Sequence, residues 1–329
     1  MDDLSIKVLR AYDIKNAGII KEKGAYRVRL ASGDFLIRKT NQAAKKIQFQ
    51  HEVKENLYLA GFQNIDRFHF STQNKPYVQL DDDIYTMTDY INYPEACFSN
   101  NADFMRILES TAKMHALLRR KNFEYASDSD FFCEDISIPE YEKSLQRIKK
   151  IKSGLNIEKR LSDIDVMFLK NYDYYTNRIA QSISKLKSSK FEDYVKKSIS
   201  GGYVRHNNLK EENIFVNGAN VYITNFSEIS VGYYLFDLEN IIRRYMKNLP
   251  KDCVPIKEAI NEYNKYNELS EDETEILAAL LLYPQKFIKV SAQYYSKKHA
   301  FIPGSIYSRM KAEIDNREIY GKYLEEFTS

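Results

Sequence analysis

The residues from His206 to Ser227, HNNLKEENIFVNGANVYITNFS, constrain the fold more than any other stretch of this chain. A polar loop, His206 to Asn213, leads into Ile214-Phe215-Val216. Asn217-Gly218 separates that run from Val221-Tyr222-Ile223. Asn-Gly between β-branched and aromatic runs predicts a two-stranded hairpin, because both central residues of a type I′ turn need positive φ. The second strand runs straight into Asn225-Phe226-Ser227, a polar, an aromatic and a small residue in succession.

Composition narrows the rest. The 329 residues can hold one large domain or two lobes, and 43% hydrophobic with 29% charged content is globular. A net charge of +3 with Lys and Glu scattered along the chain argues against a nucleic-acid partner. Met1-Asp2-Asp3-Leu4 shows no signal-peptide pattern, and no run of about 18 apolar residues predicts a membrane span or a membrane partner. Cys97, Cys133 and Cys253 share no metal or redox spacing and read as reduced thiols of a cytosolic compartment.

In chain order, residues 7–40 predict strands, with Ala25 to Leu30 alternating and Phe35 to Arg38 following a Ser32-Gly33-Asp34 turn. Residues 42–60 predict a helix with Phe49, Val53, Leu57 and Ala60 on one face and Gly61 at its C-terminus. Tyr77 to Leu80 and Ile84 to Met87 flank an acidic turn, Asp81-Asp82-Asp83, with no metal-ligand spacing around it. Beyond Thr88 to Pro94 the pattern turns helical, which puts a domain boundary at residues 89/90: a β-rich region over 1–89 and a helical one over 90–329. Helices are predicted at 102–119, 140–152, 163–187, 191–199, 255–267, 271–297 and 305–326, with Pro284 breaking or kinking one of them. His115 reads as a hydrogen-bonded core histidine, and Asp237 as the N-cap of a helix opening at Phe236.

Loop, hairpin and triplet follow the order of the catalytic core of kinase-fold proteins, H-x-D-x-x-x-x-N, two strands, D-F-G. His206, Leu209, Lys210 and Asn213 fit that pattern. Asn208 stands where the catalytic Asp belongs, and Asn225 where the metal-binding Asp belongs. An amide is no base near neutral pH, and losing a positioned acid–base group costs roughly 10²–10⁴-fold in rate. Mg²⁺ prefers charged oxygen ligands. The strand where the fold places its phosphate-contacting Lys offers Arg38 and Lys39, on opposite faces by alternation, and the sequence alone leaves open which faces the site. Only Gly24 stands where a glycine-rich phosphate cover would be. Glu55, and less so Glu52, is the candidate partner of the strand cation, with a plain solvated glutamate as the simpler account.

The chain resembles the CotS-type spore coat proteins, a branch of the aminoglycoside phosphotransferase/choline kinase-like fold. The resemblance lies in Gly24 to Val28, Phe35 to Lys39, Asn56 to Phe62, Tyr85 to Ile91, Lys113-Met114-His115, His206 to Ile214 and Phe236-Asp237-Leu238. It implies an α+β, bilobal protein kinase-like fold, with a small β-rich N-terminal lobe carrying one main helix and a larger, mostly α-helical C-terminal lobe. It implies synthesis in the mother cell of an endospore-forming bacterium, a place in the spore coat, and other spore coat proteins as partners. By this resemblance His206 and Asp237 are structural, Asp237 bracing the loop, while Arg38, Lys39, Glu55 and Asn213 are the nucleotide-side positions.

Three functions compete. The expected one is a degenerate kinase acting as a structural part of the coat, needing no cofactor. A working phosphotransferase would use ATP and Mg²⁺ on a hydroxyl or amino acceptor, with Asn213 and Asn225 on the metal, Arg38 on the phosphates and Glu228 adding charge. Nucleotide binding without turnover is the third.

Overall fold

The computed structural model describes residues 6–22, 24–119, 123–133, 137–155, 161–296 and 304–328. Its first element is a short helix, α1 (Ile6–Ala11), where the pattern predicts strand. Val8 and Tyr12 explain the difference. They lie four residues apart, as helix neighbours do, and both are buried in one cluster with Val28, Ile37, Val78 and Met87. The strands β1 (Gly18–Glu22), β2 (Ala25–Leu30) and β3 (Gly33–Thr40) follow, then α2 (Ala44–Leu59), β4 (Val78–Leu80), β5 (Asp83–Asp89) and α3 (Asn101–Leu118). The five strands form one sheet in the order β1-β2-β3-β5-β4, with every neighbouring pair antiparallel.

Helix α2 ends as its sequence predicts. Gly61 has φ +93°, the Phe62 amide reaches back to the Leu57 carbonyl (2.9 Å), and the Gly61 amide to Tyr58 (3.0 Å). That pair of bonds is a Schellman stop, which favours glycine because the position needs a left-handed backbone.

The chain continues through α4 (Ile138–Gly154), α5 (Asp163–Ser188), α6 (Phe191–Ser200), β6 (Val204–Arg205), β7 (Ile214–Asn217), β8 (Asn220–Ile223), β9 (Ser230–Val231) and α7 (Leu235–Met246). It finishes with α8 (Ile256–Asn264), α9 (Glu271–Leu282), α10 (Gln285–Ser296), α11 (Gly304–Asp315) and α12 (Arg317–Thr328). The predicted hairpin is present, with Ile214 opposite Ile223 and Val216 opposite Val221, but its turn sits one residue later. Asn217 pairs with Asn220, so Gly218 and Ala219 are the loop residues, and of these Gly218 alone has positive φ (+60°). Positive φ at the first central position is the type II′ requirement, not the I′ one.

Two compact units emerge. The first joins residues 1–133, 198–250 and 265–267; the second joins 134–197, 251–264 and 268–329. The first unit therefore carries the sheet, α2, α3, the β7-β8 hairpin, the β6-β9 strand pair and α7. In the second unit all regular elements among the described residues are helices. There α5 and α9 each begin with a capping box, Ser162 with Asp165 and Ser270 with Glu273. Pro284 separates α9 from α10, as expected of a residue without an amide hydrogen. The predicted helix over 305–326 is two helices, broken at Asn316, whose side-chain amide donates to the Ala312 carbonyl (2.9 Å) and competes with the backbone pattern. Within the described residues no helix is long and apolar enough to cross a membrane.

Candidate functional site

The loop 206–213 is held from below by one carboxylate. Asp237 accepts the backbone amides of His206 (2.6 Å) and Asn207 (2.7 Å), and it meets His115 Nε2 at 3.3 Å. It lies in the first turn of α7 and is not its N-cap, a place held by Tyr234. The expected cap gives way to the brace: the carboxylate turns away from its own helix to take the amides of another segment. The left-handed Asn207 (φ +61°) is what aims two successive amides at one acid. Burial pushes Asp237 up, but His115, His206 and Arg205 outweigh it and hold the carboxyl below its ordinary value.

His206 is fully buried, with Nε2 against the Thr224 carbonyl (3.1 Å) and Nδ1 accepting the Asn208 amide (3.2 Å). That arrangement sets Nε2 as the protonated nitrogen of a neutral ring. Burial drives its pKa down to about 4. The Phe226 ring packs edge-on to it at 4.6 Å. His206 is thus a structural rivet between the loop and the end of β8.

Above the brace lies a row of amides. Asn213 donates from Nδ2 to the Asn208 carbonyl (2.8 Å), and Asn225 donates from Nδ2 to Asn213 Oδ1 (3.1 Å). Thr224 returns to the Asn213 carbonyl through its backbone amide (2.9 Å). Asn225 sits at φ +60°, ψ +64°. Asn213 and Asn225 thus meet side chain to side chain, and Asn208 joins them through its backbone carbonyl.

A cavity of about 650 Å³ opens beside this row, within the first unit, lined by Arg38, Gln50, Lys54, Asp66, Asn213, Asn225 and neighbouring residues. Sheet register settles the strand cations. Arg38 pairs with Thr86 and Leu36 with Thr88, which sets Arg38 on the face of Thr86 and Thr88, both in the cavity wall. Lys39 belongs by register to the face of Ile37 and Tyr85; it also lines the cavity, and it pairs with Asp83 at 2.7 Å. The acidic turn at 81–83 therefore serves a strand lysine.

Glu55 does not meet either cation. Its carboxylate forms a two-pronged pair with Arg67 (3.0 and 2.7 Å). The α2 side chains that reach the cavity are Gln50 and Lys54, because Ile47, Gln50, Lys54 and Leu57 share the buried face of the helix. Glu228 is exposed on the short turn after Asn225, outside the cavity wall.

Lys54 is the residue the motif reading misses. It is fully buried, paired with Asp66 at 2.9 Å, donating also to the Asp66 carbonyl (2.6 Å), and it lies 4.4 Å from the Phe68 ring centre. Burial lowers its pKa, and Asp66 works against that shift. The same Asp66 carboxylate accepts the Asn225 amide (3.2 and 3.3 Å). Further ties run from α2 and the residues before it to the same turn: Gln42 donates to the Ser227 carbonyl (2.7 Å), Gln50 to Gln42 (2.7 Å), and Lys46 to the Ile229 carbonyl. The i, i+3, i+7, i+10 spacing of Ile47, Gln50, Lys54 and Leu57 is a signal that points to Lys54; nothing in the sequence marks Asp66.

The residues present do not suit a magnesium ion. Asn225 donates from Nδ2 to Asn213 Oδ1, and neither amide brings a charged oxygen to such an ion. Asp66 is occupied by Lys54 and the Asn225 amide, and Glu212 pairs with Lys210 at 2.7 Å. Among the described residues no group of three or more His, Cys, Asp or Glu side chains is placed to hold a metal.

The fold agrees with that of small-molecule kinases. An aminoglycoside phosphotransferase from Alicyclobacillus acidocaldarius superposes with a TM-score of 0.87 over 99% of this chain and 96% of its own, at 15% identity. A spectinomycin phosphotransferase solved with ADP and spectinomycin gives 0.59 over 94% and 88%, at 16% identity. A microcompartment-associated aminopropanol kinase gives 0.57 over 98% and 97%, at 12% identity. These likenesses establish the bilobal, kinase-like α+β fold. No curated protein matches in sequence. A family model described as "Spore coat putative kinase YutH" matches residues 6–327.

Proposed function

Since this chain belongs to the YutH family of spore coat proteins, kinase-like in fold, we propose that it is a catalytically impaired kinase acting as a structural component of the coat. The observation that carries this reading is the amide row. Where phosphoryl transfer needs a carboxylate to orient the acceptor and another to hold the metal, Asn208 and Asn225 are neutral, and Asn225 donates to Asn213. The brace on Asp237 keeps the loop in shape without giving it a reactive group. Its surroundings would then be other coat proteins, after synthesis in the mother cell.

The alternative, an ATP- and Mg²⁺-dependent phosphotransferase acting on an alcohol group, draws support from the retained Asn213 and from Arg38 facing the cavity. A turnover assay separates the two. With Mg²⁺-ATP and a panel of amino alcohols and aminoglycosides, γ-phosphate release is expected to stay at the buffer rate. Turnover that disappears in Asn225→Ala would overturn the proposal. Coat incorporation, followed by fractionation of spores, is expected to be the same for Asn208→Ala and Asn225→Ala as for the native chain.

A further inference from the structure

The second unit has a cavity of its own, about 640 Å³, along a groove between α5 and α12. Both helices pack on α9, and Leu282 at the end of α9 lines the groove. On α5 the wall is Tyr174, Arg178, Gln181 and Lys185, an i, i+4, i+7, i+11 stripe on one helix face. That stripe runs about 16 Å, roughly three turns. The Tyr174 hydroxyl ties the two walls by donating to the Arg317 carbonyl (3.2 Å).

Gly321 faces the groove from α12. Among the described residues it is the glycine that stands inside a helix, where Gly154 and Gly304 stand at helix ends. Glycine weakens a helix from within. Packing inside this chain does not call for it, since a Cβ there would meet the Tyr174 hydroxyl at 3.7 Å, an ordinary contact. The missing side chain leaves room on the groove side.

The charge along the groove is positive. Arg317 and Glu318 lie 3.6 Å apart and offset each other, which leaves Arg178, Lys185 and Lys322 against Glu325. Lys185 and Lys322 are exposed and make no ion pair among the described residues. Arg178 and Lys185 stand two turns apart on α5, about 10 Å. One small anion does not bridge that distance, but carboxylates two turns apart on a second helix match it.

We propose that the α5–α12 groove seats an acidic amphipathic helix of a partner protein. The partner backbone comes close over Gly321, as ridges do in the groove of a neighbouring helix. Its apolar side chains cover the Tyr174 ring and Leu282, and its carboxylates, spaced two turns apart, lie along the cations of α5 with Lys322 on the facing wall. The groove lies outside the unit that carries the amide row, so this inference stands apart from the non-catalytic reading.

Fluorescence anisotropy of the full chain tests this with two synthetic peptides of about 20 residues and one composition of Glu, Leu, Ala and Gln. The first carries Glu every seventh residue beside a Leu stripe; the second has the same residues permuted so that neither stripe forms. The first is expected to bind at least about tenfold more tightly, and to weaken as NaCl rises from about 50 to 200 mM. Lys185→Ala and Lys322→Ala should each weaken it about threefold or more. Gly321→Gln, which fills the groove, should abolish binding without lowering the melting temperature, because glutamine is the better helix former. That thermal reading separates a blocked groove from a lost fold. No binding of the first peptide, equal binding of the two, or native affinity in Gly321→Gln overturns the inference and leaves the non-catalytic reading, whose test is turnover, untouched.

Discussion

Asp237 and Asn225 sit at two ends of one short stretch of structure and have opposite chemistry. Asp237 is a fully engaged carboxylate, taking two backbone amides and a histidine. Asn225, at the position where the kinase pattern has its second acid, is an amide bonded to another amide. The difference teaches which charges the fold itself requires. Removing Asp237 would strand buried donors; placing an amide at 225 strands nothing, because the neighbouring Asn213 oxygen accepts its hydrogen. A carboxylate stands at 237, where it supports backbone, and an amide stands at 225, where the kinase pattern has an acid.

The strongest way to break this contrast is Asp237→Ala. It should cost about 4 kcal/mol in urea unfolding, since it leaves two amides and His115 buried without their acceptor. A loss under about 1 kcal/mol would show that the brace is as dispensable as the missing acids. Next comes Lys54→Met, expected to cost about 3 kcal/mol by leaving Asp66 unpaired. The Lys54→Met, Asp66→Asn double variant should recover at least half of that, and additive losses would show that the pair is not coupled.

The third effect is a pH dependence. His206 titrates at about 4 in the fold against 6.5 ordinarily, so between those values the unfolded chain binds the proton and the folded one does not. Stability from this residue is present above pH 6.5 and is lost as the pH falls toward 4, by at most about 1.4 kcal/mol per pH unit. Asp237, held low, adds its own loss only below the ordinary carboxylate range. The denaturation slope from pH 7 to 5 should flatten in His206→Gln, and an unchanged slope would remove His206 as its source. The smallest effect is Asn225→Asp, expected within about 0.5 kcal/mol of the native chain without metal. Combined with Asn208→Asp, it should create an Mg²⁺-dependent rise in melting temperature with ATP. A large destabilisation by Asn225→Asp alone would mean that the amide is itself a structural requirement.

Much of this was legible in residue order. The hairpin, the stop at Gly61, the break at Pro284 and the buried His115 follow from local rules of turn, cap and periodicity. The contacts among Asn208, Asn213 and Asn225 are local too, because loop and hairpin are contiguous in sequence. What local rules miss depends on partners far along the chain. Glu55 looks suited to the strand cation until Arg67 is seen to take it, and only the sheet register separates Arg38 from Lys39. Helix α1 reads as strand because Val8 and Tyr12 declare their shared side only when the sheet is there to receive them.

The left-handed backbone at Asn225 has one more consequence. Asparagine and aspartate are the two non-glycine side chains that most readily accept that geometry. Exchanging one for the other therefore moves no main-chain atom. An acid and an amide differ here by an oxygen for a nitrogen, so either is accommodated by the scaffold already in place.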